Sequence, residues 1–412
     1  MNAYLFLIGL CVVIIVSFFF NIIARKTNLP SVLLLIATGV GIQQLLLYFS
    51  MEPDFSAVLE VLGIVGLIMI VLEAALDLQL SKDKWPVIWK SFTIAALLLL
   101  FTSLALSVLI GFFVSGIGFI ASLVYAIPLS ILSSSIIIPS VKNLDKYKKE
   151  FLIYESTFSD ILGIMVFYMI VENLEVEGMR QLSFVISSNI VLTVVTSAIL
   201  SYVLLYIIQN IKGDAKFFLF LAALILLYSV GKLLHLSSLV IILMFGLLLR
   251  NHKFLLFKPL ENWLKDDRIG IVFNQFKMIT AETSFVVRTF FFVVFGMTLP
   301  LASLLNLNVW TVSIIYLVVA FLLRFILYLT VEQKNITPQI FIAPRGLISV
   351  LLFFAIPESL KREGFESGVL FVVIIVTSLV MGWSLIITGK RNQLTANEAE
   401  NENIRQDTKV ES

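Results

Sequence analysis

Apolar runs constrain this chain more than any motif does. Stretches of about 20 residues, the length a helix needs to cross the hydrocarbon of a bilayer, recur at 3–20, 30–48, 57–76, 91–113, 117–141, 151–171, 182–209, 216–231, 236–249, 282–300, 308–331, 336–357 and 367–389. In lipid each backbone polar group must be satisfied within its own segment, so runs of this length predict helices. The expected fold is an all-α polytopic membrane protein with 13 transmembrane helices. Composition agrees, with 59% hydrophobic residues and a mean hydropathy of +1.03. A net charge of +2 gives no reason to expect nucleic acid as a partner. The single cysteine, Cys11, excludes a disulfide framework and is expected to be buried in its helix.

Lysine and arginine set the expected orientation, because cytoplasmic loops hold most of them. With the N-terminus outside, the inner connections carry 20 basic residues and the outer ones 4, alternating loop by loop. A missed helix would scramble that alternation. Arg25-Lys26 follows the first apolar run instead of preceding it, so that run reads as a retained helix and not a signal peptide. The longest connection, roughly 250–281, is charged and expected to be cytoplasmic and partly interfacial. Residues 390–412, rich in Asn, Glu and Gln, are expected to form a disordered cytoplasmic tail after a transmembrane domain of 1–389.

One run carries an acid at its centre. FLIYESTFSDILGIMVFYMIV, 151–171, places Asp160 in mid-span with Glu155, Ser156 and Ser159 nearby. A charge at that depth is costly unless paired, protonated or hydrated, and such residues mark ion or proton pathways. Two other runs are interrupted. LVYAIPLSILSSSIIIPSV in the fifth holds Ser133-Ser134-Ser135 and then Pro139, whose missing N–H breaks the bond back to position 135. QIFIAPRGLISVLL in the twelfth holds Pro344-Arg345-Gly346. These breaks are expected at Pro139, Pro344 and Gly346, and irregular backbone at membrane depth is tolerated only facing protein or water. Spans five and twelve are each the fifth member of a six-span set, and an odd span between the sets gives them opposite topology. The pattern predicts two inverted six-helix repeats with crossing broken helices and a transporter site at the midplane.

These residues resemble a known family. YESTFSDILGIMVFY is similar to the signature helix of monovalent cation:proton antiporters, where Glu-Ser-x-x-Asn-Asp precedes an apolar run. IAPRGLISVLLFFAIP resembles that superfamily's late Arg-Gly helix, VRTFFFVVFGMTL its Phe-rich span, and IVLEAALDLQL its third-helix motif. Two positions depart: the usual Asn-Asp is Ser159-Asp160, and the sodium-type Thr-Asp-Pro of the fifth span is Ser133-Ser134-Ser135, nearer the potassium-exchanger branch. The resemblance implies a sodium/proton antiporter-like fold, a homodimer, a bacterial plasma membrane and no cofactor. It also implies an oxygen from Glu73 in the third span, although pairing of Glu73 with Arg288 or Arg324 is the alternative.

The chemistry follows from spacing. Ser156 and Asp160, four apart, share a helix face and can ligate one hard cation, Na+ or K+. Ser159 and the broken-helix groups near Ser134 and Ser135 can complete its shell, or the serines can bond only their own backbone. Glu155 lies about 140° around the helix from Asp160. Arg345, also at mid-membrane, is its expected partner in a structural ion pair between the repeats, a pairing that follows the resemblance as well as the geometry. Asp160 is then the free acid, holding either a proton or a cation, and one free acid predicts one-for-one exchange. Spans four to six with eleven to thirteen are expected to move as a core bundle against a scaffold of the rest. Three alternatives stand beside this reading. An organic-anion carrier would use Arg345 for substrate. An intramembrane aspartyl protease would need a second facing acid, for which Asp77 is the candidate. A serine protease lacks a mid-depth histidine, since His235 and His252 lie near span ends.

Overall fold

The computed structural model describes residues 3–27, 31–50, 56–114, 116–174, 195–204, 206–207, 222, 224–226, 228–229, 231, 238–251, 266–299, 304–332, 336–361 and 367–410. Among these the regular structure is helical: α1 Ala3–Thr27, α2 Ser31–Tyr48, α3 Ser56–Asp77, α4 Trp85–Phe113, α5 Phe119–Ser130, α6 Ser134–Ser140, α7 Lys146–Val171, α8 Ser238–Arg250, α9 Asp266–Met297, α10 Leu307–Val331, α11 Leu347–Phe354 and α12 Ser367–Val410. Helix starts carry local signals. The Asp145 side chain accepts from Lys148 N–H at 3.0 Å before α7, and Asn306 accepts from Asn308 N–H at 3.0 Å before α10. Pro86 sits in the first turn of α4, where its missing N–H costs nothing.

Eight stretches among the described residues are long and apolar enough to cross a membrane, and Val195–Leu204 and Leu239–Arg250 are shorter apolar helices. Expected spans 182–209 and 216–231 lie largely outside the described residues. Backbone helix continues in α12 through Val410, into the stretch expected to be disordered. Ala, Glu, Gln, Lys and Arg there are good helix formers that can prolong a helix already nucleated in the span before it. Cys11 is exposed, not buried: of the α1 side chains described, only Ser17 is buried, where its hydroxyl meets Thr289 at 2.7 Å.

The helices pack in two sets. In one, α4 lies against α5, α7 and α10, and α10 against α12; in the other, α9 lies against α2 and α3, and α3 against α8. Glycine permits the tightest of these crossings. A Cβ on Gly39 of α2 would fall on the Val293 carbonyl of α9, and one on Gly296 would fall on the Ile36 carbonyl, so the two backbones touch directly. Gly39→Val is therefore expected to lower stability by more than the ~1–3 kcal/mol typical of overpacking, because a carbonyl cannot rotate aside as a side chain can. Thermal unfolding in detergent measures it, and an unchanged midpoint contradicts the crossing.

Both interrupted spans are broken near their centres, one of them not where proline suggested. Residues 131–133 are extended between α5 and α6, and Pro139 lies inside α6, so the break precedes it. The reason is tertiary. Ser159 Oγ takes the N–H of Leu132 at 2.9 Å and the Pro344 carbonyl takes that of Ser133 at 3.0 Å, so neither donor is left for a helix. In the twelfth span residues 342–346, which include Pro344 and Gly346, form the irregular stretch as expected, between a 3-10 turn at Gln339–Phe341 and α11. A Cβ on Gly346 would overlap Ser133 Oγ and Ile136 Cδ1, so the two interruptions sit directly against each other.

Candidate functional site

Asp160 lies beside this junction on α7 and is 2% exposed. Its Oδ2 accepts the Ser134 N–H at 3.1 Å, the first residue of α6. Its Oδ1 is buried and has no hydrogen-bond partner among the described residues. Of the hydroxyls expected near it, Ser159 accepts from Leu132, Ser133 and Ser135 share a bond at 3.0 Å, and Ser156 donates to the Ile153 carbonyl of its own helix at 3.2 Å. Each of these oxygens keeps a lone pair for a cation. Gly163, one turn after Ser159, lets α7 approach, since a Cβ there would overlap the side chain of Ile131. The fit of a small cation therefore rests on one orphan carboxylate oxygen, Asp160 Oδ1.

The expected pair of Glu155 with Arg345 is corrected. Glu155 is held by Arg324 of α10, Nη1 to Oε1 at 2.7 Å and Nη2 to Oε2 at 3.0 Å, a bidentate contact with both side chains almost wholly buried. Tyr328, one turn beyond Arg324, donates to Glu155 Oε2 at 2.5 Å. Arg324 also donates to the Gln339 and Ile342 carbonyls at 3.0 and 3.1 Å, on the irregular side of the break in the twelfth span, where Gln339 already accepts the Ile342 N–H of its 3-10 turn. Arg345 serves the other break. Its Nε donates to the Leu129 carbonyl at 2.5 Å, at the end of α5, and to Tyr316 Oη at 3.1 Å, while Nη1 reaches the Ala343 carbonyl at 3.2 Å. Tyr316 donates to the same Leu129 carbonyl. Arg345 thus caps the carbonyl end of the half-helix α5, where the dipole is negative, and Arg324 ties Glu155 to the irregular stretch of the twelfth span. Arg324 and Tyr328, four residues apart and both polar in an apolar run, were the sequence signal for this cluster.

A cavity of about 550 Å³ approaches the site from one side. It reaches from Asn21 and Ala24 near the end of α1, and Asp77 and Lys142, inward to Glu73, Arg288, Ser134 and Ser135. Of the two partners open to Glu73, Arg288 is the one observed, Nη2 to Oε1 at 3.3 Å. Asp77 is held by Lys277 at 2.7 Å, so it is not placed as the second acid of a protease pair. On the opposite side Phe295 of α9 meets Phe354 of α11 edge-on at 6.2 Å, and Leu351 Cδ2 packs where a Gly63 Cβ would be 3.1 Å away.

A buried acid without a counter-charge, set beside two opposed helix breaks and a cavity, fits a secondary transporter and not an enzyme. The chain belongs to the sodium/hydrogen exchanger family, whose model, described as sodium/hydrogen exchanger, transmembrane, matches residues 13–391. Its fold is similar to that of the sodium proton antiporter MjNhaP1 from Methanocaldococcus jannaschii at pH 8, with a TM-score of 0.68 at 19% identity over 94% of this chain and 96% of that one. A second structure of MjNhaP1, from an electron-microscopy map, gives a TM-score of 0.62 at 16% identity over 97% and 98% of the two chains. No curated relative matches.

Proposed function

We propose that the protein exchanges one monovalent cation, Na+ or K+, for one proton, the two competing for Asp160. The observation that carries this is the unpartnered Oδ1 of the buried Asp160 carboxylate, whose other oxygen is bonded to Ser134, a residue of the cavity wall. Cation and proton are alternatives there because each neutralises the same charge. Asp160 Oδ1 with the hydroxyls of Ser134, Ser135, Ser156 and Ser159 supplies the oxygen ligands. A strict one-for-one ratio follows from the other acids away from the span ends: Glu155 is taken by Arg324 and Glu73 by Arg288. An organic-anion carrier is disfavoured because the guanidinium of Arg345 is spent on carbonyls.

The lysine and arginine distribution assigns the cavity mouth, at the ends of α1, α3 and α6, to the cytoplasm. This arrangement is then the inward-facing one, with Phe295–Phe354 and Gly63–Leu351 closing the outer route. The set α4, α5, α6, α7, α10, α11 and α12 corresponds to the core bundle, and α1, α2, α3, α8 and α9 to the scaffold of a thirteen-span inverted repeat. Alternating access is the rocking of the first against the second.

The test is proteoliposomes carrying a preset pH gradient, to which Na+, K+ and Li+ are added separately. At least one cation is expected to dissipate the gradient, and its identity gives the selectivity. Clamping the membrane potential should leave the rate almost unchanged, since one charge moves each way. A steep dependence on potential contradicts the single-acid scheme, and no response to any of the three cations contradicts exchange itself.

A further inference from the structure

Two ion pairs join α3 to α9 at the cavity wall, which Glu73, Asp77 and Arg288 line, and they differ from the buried pair at Glu155. Glu73 and Asp77 stand one turn apart on α3; Arg288 and Lys277 face them from α9, three turns apart. The Glu155–Arg324 pair has two short contacts, a tyrosine and two carbonyls around it, and exposures of 0% and 2%. Glu73–Arg288 has one contact of 3.3 Å, with side chains 21% and 23% exposed, and both residues line the cavity beside Ser134 and Ser135. Ser284, on α9 one turn before Arg288, donates to the Met69 carbonyl on α3, one turn before Glu73, so the two helices are already tied there without the ions. A pair this wet and this loosely bonded adds little to stability. Its position gives it electrical weight instead. Asp77 is neutralised by Lys277, so Arg288 cancels the remaining wall acid that a cation meets before Asp160.

We propose that Arg288 sets the cation affinity of the antiporter by masking Glu73, the pair acting as an electrostatic valve on the route to Asp160. The inference rests on the exchange reading above. It requires fixed charges only, and gives the two residues opposite signs. Without Arg288 the bare Glu73 carboxylate attracts the cation; without Glu73 the bare Arg288 repels it.

The experiment is cation titration of exchange in proteoliposomes of the full chain, with Na+ and then K+ as probes. Arg288→Gln is expected to lower the half-maximal cation concentration and Glu73→Gln to raise it, each by about three- to tenfold, the scale of one charge within ~10 Å at a partly hydrated wall. The double variant should return to within about twofold of wild type, Arg288→Lys should match wild type, and the shifts should shrink as an inert salt raises ionic strength. Shifts of both single variants in the same direction, or a double variant worse than either, overturn the valve and leave a structural staple. If Arg288→Gln does not fold, Glu73→Gln decides, and an unchanged or lowered half-maximal concentration overturns the proposal. Wild-type protein that exchanges while both single variants keep its affinity refutes the valve alone, whereas wild-type protein that moves no protons with any cation refutes the exchange reading and the valve together.

Discussion

Asp160→Asn is expected to give folded protein in which cation addition no longer moves protons. Asparagine has the shape of aspartate, and its carbonyl oxygen can still accept the Ser134 N–H now bonded at 3.1 Å, so the junction of α6 and α7 has no reason to shift. What disappears is the charge on the oxygen that has no other partner. A neutral amide cannot exchange one proton for one cation, so both halves of the cycle stop, and the vesicle signal should fall to that of protein-free liposomes. A second readout separates chemistry from transport. Purified wild-type protein in weakly buffered detergent should release protons when the cation is added, and the variant none. Should Asp160→Asn retain cation-dependent proton movement, the competition scheme is wrong, even though the family assignment would stand.

Much of this was legible in the sequence because lipid leaves few options. Apolar length foretold the described helices, and an acid in mid-span singled out Asp160 as the candidate before any geometry was known. What escaped depends on contacts between distant segments. Ser-Ser-Ser and Pro139 announced a break in the fifth span, but its position was decided by Ser159 and Pro344, which capture two N–H groups from residues 27 and 211 positions away in the chain. Three arginines lie inside spans, and charge complementarity alone cannot say which of them reaches Glu155. Depth in the bilayer and the resemblance pointed to Arg345, and left Arg324 as an alternative partner for Glu73 only. The deciding factor was the need of the broken fifth span for a donor at the carbonyl end of α5, a demand that commits Arg345 to Leu129 and leaves Arg324 for the acid.

That division of labour predicts unequal costs for removing the two arginines. Arg324→Ala leaves a fully buried carboxylate with no counter-charge and removes the donor to the Ile342 carbonyl, so a loss of about 3–5 kcal/mol is expected, enough to leave little folded protein. Arg345→Ala strands no acid, and Tyr316 still donates to Leu129, so its cost should stay within the ~1–3 kcal/mol of an unsatisfied buried polar group. Glu155→Gln leaves Arg324 charged and its tyrosine and carbonyl contacts in place, and should fall between the two. The coupling is the sharper measure. In thermal unfolding in detergent, Glu155→Gln and Arg324→Ala should be strongly non-additive, because the second removes a charge already unpaired by the first, whereas Glu155→Gln and Arg345→Ala should simply add. Equal coupling of Glu155 to both arginines would mean that the acid shares its charge across the two breaks, and the separation of a structural pair from a capping arginine would fail.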